Sequence, residues 1–128
     1  MKISTSIIVL AIIIGFFFIQ SSPVGQGGQK SGLVYPAEVK KVIDEKCYGC
    51  HSIKGKSQDA KDALIWDSLP GLQKGKIVAT LDDIIKVLKE NKMPPKQTIE
   101  KYPNMKLLPG EVTTLQSWAE TTAESMLK

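Results

Sequence analysis

The chain of 128 residues contains no arginine, one histidine and two cysteines. All 17 of its basic residues are lysines. Arginine forks read guanine edges and clamp phosphates, so their absence argues against nucleic-acid recognition. One His and two Cys fall short of the four ligands that a structural zinc site takes. A thioredoxin-like redox pair is expected beside a βαβ pattern, and none is visible. A disulfide across a two-residue spacer would close a small loop and constrain little of the unfolded chain. Phenylalanine is confined to Phe16, Phe17 and Phe18, so the aromatics beyond it are Tyr35, Tyr48, Trp66, Tyr102 and Trp118.

What is present gathers in one pentapeptide, Cys47-Tyr48-Gly49-Cys50-His51, which holds every cysteine and the only histidine. It spells C-x-x-C-H, the pattern for covalent attachment of a c-type haem. The spacing has a chemical reason. Two thiols must add to vinyl groups on neighbouring edges of one porphyrin, and a single tight turn, eased by Gly49, brings them there. The residue after the second Cys is then carried under the macrocycle, where an imidazole nitrogen can bind iron. Cys47 and Cys50 are therefore the expected attachment points of one haem c, and His51 the expected proximal ligand.

The N-terminus agrees with that chemistry, because c-type haem is attached outside the cytoplasmic membrane. Lys2 precedes an apolar run from Ile7 to Ile19, and Gln20-Ser21-Ser22-Pro23 follows. A run of 13 residues fits a signal-peptide core better than a transmembrane helix, which needs about 20. Residues 1–22 are read as a signal peptide or an uncleaved N-terminal anchor, with a membrane tether through residues 3–19. Ser21 and Ser22 are the nearest candidates for cleavage. No cysteine follows the run, which excludes a bacterial lipoprotein anchor. Residues 23–33, with Gly25, Gly27, Gly28 and Gly32, read as a flexible linker. Residues 34–128 then form one small domain, placed in the periplasm, either soluble or tethered to the inner membrane. Its apolar content is thin for a self-sufficient core, so a buried porphyrin is expected to complete it and the haem-free form to fold poorly.

Helical periodicity carries the rest of the domain. Pro36 opens a first helix whose stripe of Val39, Val42 and Ile43 runs directly into Cys47. Lys54-Gly55-Lys56 reads as a turn, and residues 59–66 as a short helix ended by Pro70-Gly71. Thr80 is expected to cap the clearest helix, with Asp83 in the capping-box position. Leu81, Ile84, Ile85 and Leu88 give that helix one apolar face, and it ends near Asn91. Residues 98–108 read as a loop. A final helix starts at about Pro109, with Val112, Leu115, Ala119, Thr122 and Met126 as its stripe and Trp118 beside it.

A lone histidine makes bis-histidine coordination within the chain impossible. Methionine sulfur is the usual alternative, and the His/Met pairing raises the reduction potential. Met93 precedes Pro94-Pro95, which biases its backbone towards an extended form and projects the side chain from a stiff loop. Met93 is thus the expected distal ligand, with Met105 and then Met126 as competitors. The Trp66 indole N–H is a candidate donor to a haem propionate, set against plain core packing.

Together these features resemble the class I single-haem cytochromes c, and more narrowly the haem-binding domain of some Gram-negative envelope proteins. The features concerned are Val39 to Ile43 before Cys47-Tyr48-Gly49-Cys50-His51-Ser52, then Met93-Pro94-Pro95, then a closing helix with Trp118. The resemblance implies an all-α cytochrome c-like fold around one covalent haem, with first and last helices crossing. It also implies haem on Cys47 and Cys50, ligated by His51 and Met93. The first helix departs from it in lacking the Gly and aromatic pair that usually meets the last helix. The function expected is periplasmic electron transfer, one electron at a time, without enzymatic chemistry. Lys46, Lys54, Lys56, Lys92 and Lys96 would steer a redox partner with an acidic docking face. The rival is a haem enzyme or a gas or redox sensor with an open or labile sixth position, which would want a polar distal group. A redox module inside a larger envelope complex is the third reading.

Overall fold

The computed structural model describes residues 32–128. The apolar run and nearly all of the expected linker lie outside them. Among the described residues the chain is all-α, with no strand, and no helix is long and apolar enough to cross a membrane. Two long α-helices, α3 and α5, are accompanied by three short ones of six residues each, α1, α2 and α4, and by irregular segments.

Helix α1 spans Ala37–Val42, directly after Pro36, and continues without a break into a π-helical turn over Ile43–Cys47. Proline is suited to this place because its missing N–H would find no partner there. The expected stripe is the buried one: Val39, Val42 and Ile43 all sit in the core. The wider π turn, closed by the Tyr48 N–H donating to the Ile43 carbonyl at 2.8 Å, ends on Cys47. Single π turns of this kind often mark functional positions in helices.

Helix α2 spans Gln58–Ala63 and is capped by Ser57, whose Oγ accepts from the Ala60 N–H at 3.2 Å. It starts one residue earlier than the sequence pattern predicts and stops three residues short of Trp66. Leu64 is already extended, so residues 64–67 are not helical, and a 3-10 turn follows over Leu69–Gly71.

Helix α3, Lys74–Lys89, begins six residues before the expected start. Thr80 is therefore not its cap. It lies in the second turn, where its hydroxyl donates back to the Lys76 carbonyl at 2.8 Å, a bond open to threonine inside a helix. Gln73 stands at the N-cap without any side-chain bond. Ile77, Leu81, Ile84 and Leu88 are buried, one face of the helix as expected, with Ile85 at its edge. The C-terminus is closed by Asn91 at φ 52°. The Lys92 N–H donates to the Val87 carbonyl and the Asn91 N–H to the Leu88 carbonyl, the paired bonds of a Schellman stop. Asparagine tolerates that left-handed backbone better than most residues.

The predicted loop over residues 98–108 is partly helical. Helix α4 spans Lys96–Lys101, and a 3-10 turn covers Pro103–Met105. The last helix, α5, runs Pro109–Leu127, close to its predicted start. Its buried face is Leu115, Trp118, Ala119 and Ala123, so Trp118 belongs to the stripe and does not flank it. Thr122 and Met126 are only partly covered.

Helices α3 and α5 form the main packed pair, and α1 packs on α5. The aromatic contact missing from α1 is replaced by the segment before it. Leu33 is buried, the Trp118 indole donates to the Val34 carbonyl at 3.2 Å, and the Tyr35 ring lies 5.5 Å from that of Trp118. Leu81 is fully buried in this core, whereas Leu127 is 72% exposed. Leu81→Ala should cost about 2–5 kcal/mol in urea unfolding, through lost transfer energy and a residual cavity. Leu127→Ala should stay within about 0.5 kcal/mol.

Candidate haem-attachment site

After the π turn, Cys47 to His51 fold into a tight loop. The N–H groups of Cys50 and His51 both donate to the Cys47 carbonyl, at 3.1 and 3.0 Å. Cys47 and Cys50 are free thiols. Gly49 is not the glycine that this loop requires. An added Cβ there meets nothing within 4 Å, whereas at Gly55 it would lie 2.1 Å from the Cys50 carbonyl oxygen. The buried Gly55 lets the turn fold back against the second cysteine, and its N–H donates to the Ser52 carbonyl at 2.9 Å.

The irregular segment from Leu64 to Asp67 braces this loop from outside. His51 Nδ1 lies 3.1 Å from the Leu64 carbonyl oxygen. A carbonyl can only accept, so Nδ1 carries the proton, and Nε2 is left with its lone pair. The Trp66 N–H donates to the His51 carbonyl at 2.9 Å. The Asp67 carboxylate accepts from the Tyr48 hydroxyl and, at 2.9 Å, from the Ile53 N–H. The Tyr48 hydroxyl and then the Ile53 N–H hold the Asp67 carboxyl below its usual range. The same bond, first among its causes, raises the Tyr48 phenol.

Cys47, Cys50 and His51 face one cavity of about 460 Å³. That volume falls within the range of small-molecule and cofactor pockets. Its walls are mainly apolar side chains from every part of the domain, including Leu64, Ile84, Leu88, Leu107 and Leu115. Met93 and Met105 both line it. Met93 stands between the Schellman stop of α3 and Pro94-Pro95, after which α4 begins; its peptide bond to Pro94 is cis. Met105 ends the 3-10 turn after α4, a turn tied to the cysteine loop by Lys46 Nζ donating to the Asn104 carbonyl. Met126 packs against the core and has no place on the cavity wall.

Trp66 packs in the core, as the plainer of its two readings has it, and also borders the cavity. It is buried in the core, with its ring 6.0 Å from Tyr35 and 6.3 Å from Trp118, and it lines the cavity. Its Nε1–H is buried without a hydrogen-bond partner. Burial pushes the Cys47 thiol up to about 12, with Glu111 and then Cys50 adding to the rise. A neutral sulfur suits that position and a thiolate does not.

No family model, curated protein or solved structure matches this chain. The arrangement of the residues is what bears on function. It brings Cys47, Cys50, His51, Met93 and Trp66 to one cavity and adds Met105. Among the expected docking lysines, Lys54, Lys56 and Lys96 are exposed, Lys92 pairs with Glu90 at 2.6 Å, and Lys46 lines the cavity. Sequence reasoning missed the Leu64 carbonyl and the Asp67 clamp, and read Gly55 only as part of a turn. Of the two that were missed, only Asp67 has a side-chain signature.

Gly55→Ala should lower stability by about 1–3 kcal/mol, because the added methyl has no room and the backbone must shift. Gly49→Ala should leave the unfolding midpoint nearly unchanged. The Asp67 bonds have their own pH signature. A carboxyl held below its ordinary value of 3.8 contributes fully above that value, and its contribution is lost as pH falls through the lowered one. The Ile53 amide should therefore titrate in proton NMR with a midpoint below 3.8, and Asp67→Asn should abolish that step.

Proposed function

We propose that this chain is a periplasmic c-type cytochrome that carries one electron on a single covalent haem c and does no bond-making on a substrate. The observation that carries the proposal is the convergence of Cys47, Cys50 and His51 on one apolar cavity, with methionine sulfur brought there from a distant segment. Among the described residues no group of three or more His, Cys, Asp and Glu side chains could hold a bare metal ion. Iron held inside a macrocycle suits these donors better.

The residues present fit such a group, and a structural feature independent of the motif supports the fit. Trp66 Nε1–H is a buried donor without a partner on the cavity wall. Orphaned buried donors are costly, and a propionate carboxylate at that wall would take the bond. Cys47 and Cys50 would hold the group through thioethers, neutral links that the buried site of Cys47 favours. His51 offers Nε2, its ring fixed by the Leu64 carbonyl, as ligating imidazoles are usually fixed by a second partner. Met93 is the assigned distal donor, and Pro94-Pro95 stiffen the loop that holds its weak thioether in place. When bound, the iron supplies a reversible one-electron couple, with a potential raised by the His/Met pairing. Ile84, Leu88, Leu107 and Leu115 line the cavity with apolar side chains, and burial among them would raise the potential by disfavouring the more charged state. Lys54, Lys56 and Lys96 are assigned to steering an acidic face of the redox partner.

Protein exported alongside a haem-attachment system should stain for haem-dependent peroxidase activity on a denaturing gel. A double Cys47→Ala, Cys50→Ala variant should not. Absence of stain from the wild type sinks the proposal. In the oxidised protein the weak far-red sulfur-to-iron band should vanish in Met93→Ala, with a lower potential, and persist in Met105→Ala. The reverse pattern would transfer the distal role to Met105.

A further inference from the structure

We infer that Tyr35 is a positioning residue for His51, acting through the backbone of residues 64–66; the inference rests on the haem-carrying function proposed above. The Tyr35 hydroxyl donates to the Trp66 carbonyl at 2.9 Å. Trp66 in turn donates its N–H to the His51 carbonyl at 2.9 Å, and Leu64, two residues before it, accepts from His51 Nδ1 at 3.1 Å. His51 is thus gripped at its backbone and at its ring by one short non-helical segment. That segment belongs to no helix or sheet. The Leu64 N–H donates to the Ala60 carbonyl, the Ile65 carbonyl accepts from the Ser68 and Leu69 N–H groups, and Asp67 is held by Tyr48 and Ile53. The hydrogen bond from Tyr35 holds the Trp66 carbonyl, between the two residues that grip His51 and the turn that follows.

Tyr35 is well placed for the task. Its ring is held between two indoles, 6.0 Å from Trp66 at 77° and 5.5 Å from Trp118 at 46°. Its backbone follows Val34, whose carbonyl is bonded by the Trp118 indole. The hydroxyl therefore reaches the Trp66 carbonyl from a rigid platform on α5, 31 residues away in sequence. Burial raises the phenol's pKa, with Asp67 adding to it, so the group stays a donor at neutral pH.

The chemical consequence has a sign. A carbonyl accepting from Nδ1–H makes the imidazole a stronger electron donor to a metal on Nε2. Stronger donation stabilises the oxidised iron and lowers the reduction potential. Removing the Tyr35 hydroxyl leaves the Trp66 carbonyl without its tie, loosens residues 64–66 and weakens the Nδ1–H bond. The potential should then move upward.

The test is Tyr35→Phe in the haem-loaded protein, which keeps the ring and removes one oxygen. We expect an upward shift of the reduction potential and faster solvent exchange of the His51 Nδ1–H proton in NMR. Leu81→Ala is the control for stability alone, because Leu81 is core and has no place on the cavity wall. It should lower the melting temperature and leave the potential unmoved. A Tyr35→Phe protein that melts earlier at an unchanged potential and unchanged Nδ1–H exchange would overturn the inference. The wild type provides a second reading: His51 Nδ1–H should be protected as well as the core amides of α3, and free exchange there would overturn it too. Haem stain on the denaturing gel is scored for every sample. A stain-free wild type defeats the haem reading itself, whereas stained protein with an indifferent Tyr35 defeats only the positioning role.

Discussion

The hydrogen bond between His51 Nδ1 and the Leu64 carbonyl is the constraint on which the candidate site depends. A histidine next to two cysteines in sequence is only a set of donors. It becomes a directed ligand when one nitrogen is committed and the other left with a lone pair. That commitment comes from a backbone oxygen in the stretch with the least regular structure in the domain. The surrounding bonds make the arrangement hold. The Trp66 N–H fixes the His51 backbone, the Asp67 carboxylate fixes Tyr48 and Ile53 on either side of it, and Tyr35 fixes Trp66. Each bond alone is worth about 1 kcal/mol net, but they close around one loop, so none can loosen without its neighbours adjusting.

The helices serve this loop more than they surround it. Helix α1 ends in a π turn that delivers Cys47. Helices α3 and α5 form the packed pair that supplies Ile84, Val87, Leu88 and Leu115 to the cavity wall and carries the Trp118 platform. The Schellman stop at Asn91 turns the chain out of α3 just before Met93, and the two prolines separate that residue from the start of α4 at Lys96. The result is a domain with an apolar cavity lined by segments spread from Lys46 to Leu115. A cofactor seated there would complete a core that the aromatic-poor polypeptide leaves thin.

Much of this could be read from the residues. C-x-x-C-H, Met-Pro-Pro and the stripes of α1, α3 and α5 are side-chain patterns, and side-chain patterns are what a sequence displays. The buried faces of α1 and α3 follow them closely, while that of α5 takes in Trp118 and Ala123 in place of Thr122 and Met126. The failures have a common cause. Thr80 has the right chemistry for a cap, yet its hydroxyl bonds backwards within α3, and the true N-cap, Gln73, uses no side chain at all. Helix α4 is too short for periodicity to reveal. The grip of Leu64 on His51 is made by a carbonyl that every residue owns, so no choice of residue at position 64 announces it. Gly49 drew attention by lying inside the motif, although the tight contact is made at Gly55.

That contact bears on how distant kin of this chain should be sought. Two cysteines and a histidine at fixed spacing are common by chance, and the residue between Tyr48 and Cys50 is free to drift. Position 55 is not, because the Cys50 carbonyl occupies the space where any other side chain would begin. A search template that demands glycine five places beyond the second cysteine would separate chains that fold this loop from those that merely contain its letters.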